Sequence, residues 1–101
     1  MPAGAAFFDN HHAPLYTVGQ VANMIGVQAA FVRRLDTESV VQPARSDGGQ
    51  RRYTRAEIDQ ISAVSQMAGE GMSLAGIRRI LALEAEVARL KRQLRRRRQT
   101  G

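Results

Sequence analysis

Five arginines, Arg33, Arg34, Arg45, Arg51 and Arg52, fall within twenty residues of one another in a chain otherwise poor in reactive side chains. The chemistry they offer is ion pairing: guanidinium forks grip phosphate oxygens in a bidentate way and need no nucleophile or acid–base pair beside them. Arg45 precedes and Arg51-Arg52-Tyr53 follows the tripeptide Asp47-Gly48-Gly49, whose glycines supply the positive-φ positions of a tight hairpin. A hairpin so armed is a candidate phosphate clamp, and the plainer alternative is a solvated hairpin with arginines facing water. Enzymatic readings lack parts. There is no cysteine, the two histidines are the adjacent pair His11-His12, and no Ser/His/Asp set or Gly-rich phosphate loop is visible. The histidine pair has no further ligand at metal spacing, so neither metal nor cofactor is expected. Asp36 and Glu38 read as solvated carboxylates near a helix end.

The net charge of +6 has to be located before it is used. Arg89, Lys91, Arg92 and Arg95 to Arg98 account for seven of the fifteen basic residues, and the eight before them face all nine carboxylates. Bulk basicity therefore belongs to the C-terminal end, and polyanion binding by the body must come from local placement. The Arg95 to Arg98 cluster reads as a non-specific DNA arm, a contact for an anionic partner, or a solubilising helix end. No apolar run approaches the roughly 18 to 20 residues of a membrane span, and no secretory signal precedes the body. The expectation is a soluble, cytoplasmic, nucleoid-associated chain with no membrane partner.

Several elements must position these arginines. Thr17 with Gln20 matches a capping box, and Val18, Val21, Ala22 and Ile25 share a helical face, so a helix is expected from Thr17 to Gly26. After a turn through Val27, a second helix over about Gln28 to Asp36 would bury Phe31, Val32 and Leu35 and turn Gln28, Ala29, Arg33 and Arg34 outward or to the rim. Two short helices joined by a Gly-containing turn make a helix-turn-helix, whose second helix can lie in the major groove. Val40-Val41 reads as a short β run ended by Pro43, ahead of the arginine hairpin, or wing. Thr54 and Glu57 cap a helix to about Ala68 with Ile58, Ile61, Val64 or Ser65, and Ala68 inside; Ser73 caps a further one carrying Leu74, Ile77, Ile80 and Leu81.

No Gly or Pro interrupts the chain between Gly76 and Gly101, so that last helix can run on to the arginines. Ile80, Leu83, Val87, Leu90 and Leu94 are spaced 3, 4, 3, 4, the a/d seam of a coiled coil. The alternative is a helix folded back on its own domain. Lys91 can meet Glu84 in an antiparallel pair or Glu86 in a parallel one; parallel pairing also brings two arginine clusters together, so antiparallel is expected. The fold expected is thus mostly α. A flexible arm occupies residues 1–14, a winged helix-turn-helix DNA-binding domain 15–81, and a dimerisation helix with an arginine-rich end 82–101.

Residues from about Tyr16 to Leu81 resemble the DNA-binding domain of MerR-type transcription regulators. The resemblance is carried by Tyr16 to Ala22, Gly26-Val27, Val32-Arg33, Pro43-Ala44-Arg45, Gly49 to Thr54 and Ser73 to Leu81. Arg51-Arg52-Tyr53, Leu74 to Ile80 and Leu83-Glu84 are most similar to the heat-shock repressor, HspR-like, branch. The resemblance implies a dimer on an inverted repeat of double-stranded DNA. Arg33 would be the recognition-helix arginine, Arg51 the wing arginine, and Tyr53 the wing aromatic that touches or props the backbone contact. The DNA-facing set is then Thr17, Gln28, Ala29, Ala30, Arg33, Arg34, Arg45, Arg51, Arg52 and Tyr53. The chain departs from the pattern at Ala29-Ala30-Phe31 and Arg34-Leu35. Alanines can touch thymine methyls but cannot make the bidentate base bonds worth roughly 1–3 kcal/mol each. Modest direct readout is therefore expected, with more weight on phosphates and DNA shape. The expected function is a homodimeric, DNA-binding transcription regulator, a repressor controlled by a protein partner, abundance or assembly rather than by a bound inducer. The alternative is a protein-interaction adaptor that keeps the fold and recruits a partner through its C-terminal helix.

Overall fold

The computed structural model describes residues 11–100. Helix α1 spans Val18–Ile25, α2 Ala29–Thr37, α3 Arg55–Gly69 and α4 Leu74–Thr100, and the two-residue strands β1, Ala44–Arg45, and β2, Arg51–Arg52, form an antiparallel ribbon between α2 and α3. It is a mostly helical fold with a small wing.

Side-chain caps start α1, α3 and α4, whereas Gln28 ahead of α2 makes no cap bond. The Thr17 hydroxyl accepts from the Gln20 amide at 3.2 Å while the Gln20 side chain accepts from the Thr17 amide at 2.9 Å. Thr54 and Glu57 repeat this reciprocal box at the head of α3, with distances of 2.9 and 3.0 Å. Both arrangements satisfy donors that the first turn would leave orphaned. Ser73 caps α4 by accepting from the Gly76 amide at 3.1 Å.

Helix α2 ends differently. Ser39 sits at φ 59°, the Ser39 amide donates to the Asp36 carbonyl at 3.0 Å and the Val40 amide to the Leu35 carbonyl at 2.8 Å. This is a Schellman closure with serine where glycine is usual. It turns the chain so sharply that Val40 and Val41 enter the core instead of forming the β run expected from their types; they are buried, and the strand begins at Ala44.

The core gathers one face from each helix. Val21 and Ala22 of α1, Val32 and Leu35 of α2, Ile58, Ile61 and Val64 of α3 and Ile77 of α4 are buried together with Tyr53, Val40 and Val41. At the α3 position left open between Val64 and Ser65, Val64 is the buried residue. The Arg78 guanidinium donates to the Glu38 carbonyl at 3.0 Å, joining the second turn of α4 to the end of α2. A cation there also complements the negative end of the α2 dipole.

Residues 1–10, including Phe7-Phe8 and most of the expected arm, lie outside the described residues. The described end of that arm, His11 to Pro14, is docked rather than free. Ala13 is buried, the Ala56 amide donates to the His11 carbonyl at 3.0 Å, and His11 Nε2 lies 3.6 Å from Asp59. The docking continues into a β bridge between Tyr16 and Tyr53, with the Tyr53 amide donating to the Tyr16 carbonyl at 2.7 Å and the Tyr16 amide returning to Tyr53 at 3.0 Å. That bridge seats the beginning of α1 beside the wing.

Past Leu81 the 27-residue α4 leaves the core. Ile80 is partly buried, whereas Leu83, Val87, Leu90 and Leu94 remain 48–52% exposed along one side. No helix of the described residues is long and apolar enough to cross a membrane.

Candidate nucleic-acid interface

A cleft of about 380 Å³ opens between the head of α1, the middle of α2 and the wing, lined by Thr17, Val18, Gly19, Arg33, Arg45, Gly49, Gln50, Arg51 and Arg52. Four guanidinium groups thus converge beside the N-terminus of an α-helix, where unpaired amide donors and the dipole favour an anion.

The wing holds three of the four. Ala44 pairs with Arg52 and Arg45 with Arg51, so the two facing arginines share one rung of the ribbon. The tip is closed by Ser46 and Gln50, with the Ser46 amide donating to the Gln50 carbonyl at 2.7 Å. Of the two tip glycines only Gly49 takes positive φ, at 81°. That left-handed residue ends the three-residue loop, and a side chain would strain it.

Two like charges on one rung should repel, and Asp36 prevents it. One oxygen of its carboxylate accepts from Arg45 Nη2 at 2.9 Å and from Arg51 Nε at 2.7 Å. Asp36 is 9% exposed on the last turn of α2, so the expectation of a solvated helix-end carboxylate is corrected: it is a buried counter-ion. Its position fits the inward phase of α2, since Val32, Leu35 and Asp36 fall on one face. An acid on a buried face was the available signal. Arg52 is arranged by its neighbours, donating to the Arg51 carbonyl at 3.1 Å and to Gln50 at 3.3 Å.

The structure sorts the remaining expected contacts. Arg33 is exposed and reaches the cleft, as does Thr17. Arg34 does not line it; its guanidinium is paired with Glu38 one turn along α2. Gln28 and Ala30 are exposed at the start of α2, away from the cleft lining, while Ala29 is half-buried and packs against the core instead of facing outward. Tyr53 requires a correction. It is fully buried, so it cannot touch a nucleic-acid backbone, and its hydroxyl has no hydrogen-bond partner among the described residues. Burial pushes its pKa above the usual 10.0, with Arg51 opposing the shift. It remains a prop beneath the wing. Val18, Gly19 and Gln50 line the cleft although their types gave no sign of it.

Among the described residues no group of three His, Cys, Asp or Glu side chains could hold a metal ion. The arrangement suits polyanion binding.

Comparison with known proteins agrees in extent and kind. The family description "MerR HTH family regulatory protein" matches residues 16–84. The heat shock protein HspR of Streptomyces coelicolor is 37% identical over 79 residues, which are 77% of this chain and 52% of that protein. The HTH-type transcriptional regulator GlnR of Bacillus anthracis is 25% identical over 75% of this chain and 59% of its own length, so the chain spans little more than half of these relatives. HiNmlR, described as a MerR family regulator lacking the sensor domain and solved bound to promoter DNA, superposes with a TM-score of 0.60 at 27% identity, covering 78% of this chain and 81% of that one. MtaN, the N-terminus of a multidrug transporter activator from Bacillus subtilis, shares the fold with a TM-score of 0.61, covering 84% and 90% of the two chains at 24% identity.

Proposed function

Because the chain belongs to the MerR family of helix-turn-helix regulatory proteins, we propose that it binds double-stranded promoter DNA as a homodimer and acts as a repressor of transcription. The observation that carries the DNA reading is the convergence of Arg33, Arg45, Arg51 and Arg52 on one cleft beside the head of α1. In this reading α2 enters the major groove, Arg33 reaches a base edge or the adjoining phosphate, and the wing arginines grip the backbone. Thr17 presents the α1 terminus to a phosphate. Ala29 and Ala30 add little hydrogen bonding, so selectivity rests on Arg33, half-site spacing and DNA shape.

The dimer reading is supported by the apolar edge of α4, where Leu83, Val87, Leu90 and Leu94 lie half exposed at coiled-coil spacing. Two copies joined there would match an inverted repeat. An antiparallel pair keeps the two Arg95 to Arg98 clusters apart, and those clusters then add salt-sensitive affinity for DNA or for an acidic partner. Control is assigned to a protein partner, to abundance or to cooperative assembly rather than to a bound inducer, because the cleft is lined by four arginines and suits a polyanion. The test is binding of the full chain to a duplex that it selects from a randomised pool, followed across salt concentration. Sequence-selective, salt-dependent binding is expected; absence of binding to any duplex, with capture of another protein through α4, would favour the adaptor reading instead.

A further inference from the structure

We propose that Asp36 is the positioning residue of the interface: it locks α2 to both strands of the wing and sets the balance between sequence-selective and indiscriminate DNA binding. The inference rests on the DNA reading and deepens it.

The geometry joins three elements through one oxygen. Asp36 Oδ2 lies on the last turn of α2 and takes Arg45 of β1 and Arg51 of β2 at 2.9 and 2.7 Å. Asp36 thereby ties the recognition helix to the wing that follows it in the chain after residues 40–43. The carboxylate is 10% exposed, against 22% for the Arg51 side chain and 49% for that of Arg45. The two arginines are therefore unequal. Arg51 is the post, bound through Nε so that its terminal nitrogens stay available to a phosphate, and Arg45 is the more exposed arm over the tip, also 3.4 Å from the Gly49 carbonyl. Fixing a fork before the ligand arrives removes ordering cost from binding, and it rewards only phosphates at matching positions.

The same carboxylate subtracts charge. Four guanidinium groups with one acid leave the cleft three positive charges, where removal of the acid would leave four. Asp36 thus lowers general attraction to any duplex while sharpening the fit to one. Few single changes would move these two properties in opposite directions.

The experiment compares the wild-type chain with Asp36→Asn, whose neutral amide still offers one acceptor oxygen but carries no charge to hold two guanidinium groups on one rung. Each is titrated with the duplex selected by the wild type and with a random duplex of equal length, across salt. The expected result is at least a tenfold fall in the ratio of selected to random affinity. Random-duplex affinity stays level or rises, and its log–log salt slope steepens by about one. An unchanged ratio in a folded variant would overturn the proposal. If Asp36→Asn does not fold, Arg Nε–H exchange in the wild type decides. Protection of the Arg51 Nε–H in the free protein is expected, and exchange at the rate of Arg33 would overturn the lock. Wild type that binds neither duplex overturns the DNA reading and this proposal with it, whereas wild-type selectivity with an unmoved Asp36→Asn ratio overturns this proposal alone.

Discussion

Tyr53→Phe separates a buried prop from a DNA contact by deleting one oxygen. The ring is fully enclosed beneath the wing and its hydroxyl is buried with no partner among the described residues. A buried, unsatisfied polar group costs about 1–3 kcal/mol, so removing it while keeping the ring should be neutral or stabilise by about 1 kcal/mol. For a domain of this size that gain raises Tm by about 4–8 °C. The pKa of Tyr53 is raised by burial, which means the folded state prefers the neutral phenol. Its contribution to stability is therefore fully present below pH 10 and lost as pH rises through the folded-state value, a loss the phenylalanine variant escapes. Thermal and urea melts at fixed protein concentration, from pH 7 to above 10, should show the variant level with or above wild type at pH 7 and the gap widening at the alkaline end. DNA affinity should be unchanged. A destabilisation of 1 kcal/mol or more at pH 7, or a tenfold loss of DNA affinity with folding intact, would refute the assignment of Tyr53 as a buried prop with no partner of its own.

Three further outcomes are expected. Leu90→Glu places a charge on the apolar edge of α4 in both protomers; burying the exposed half of a leucine is worth about 1 kcal/mol, so losing two of them weakens the dimer at least tenfold, read by sedimentation equilibrium. A variant of unchanged mass at every concentration would dismiss this edge as the interface. Ser39→Gly relieves a left-handed serine in the α2 closure and should add about 0.5–1 kcal/mol in urea unfolding, where a loss would contradict the φ of 59°. Thr54→Ala removes half of the α3 capping box and should cost about 1 kcal/mol, with an unchanged urea midpoint counting against it.

Local rules recovered much of this fold from residue types alone. The Thr17/Gln20 and Thr54/Glu57 boxes, the Ser73 cap and the inward row Ile58, Ile61 and Val64 depend on contacts three or four residues apart, which spacing reveals. What spacing missed was set by distant partners. Asp36 meets arginines nine and fifteen residues away, so its burial depends on how the wing folds back. Tyr53 follows a two-residue strand, too short for alternation to say which face turns inward. Val40 and Val41 have β-forming side chains, yet the closure at Ser39 delivers them to the core as a turn. The docking of His11 to Pro14 uses backbone amides and carbonyls, which every sequence supplies. At the interface itself, the arginine types pointed to Arg33, Arg45, Arg51 and Arg52, while the pairing of Arg34 with Glu38 removed one arginine that composition could not distinguish from them.

The proposed function has the cleft between α1, α2 and the wing gripping DNA. It is tested most directly by the salt dependence of binding for wild type, Arg33→Ala and Arg51→Ala on the duplex selected by the wild type. Each variant should lose about 1–3 kcal/mol of affinity, and Arg51→Ala should also lower the salt slope by about one. Wild-type affinity and slope in both folded variants would contradict it.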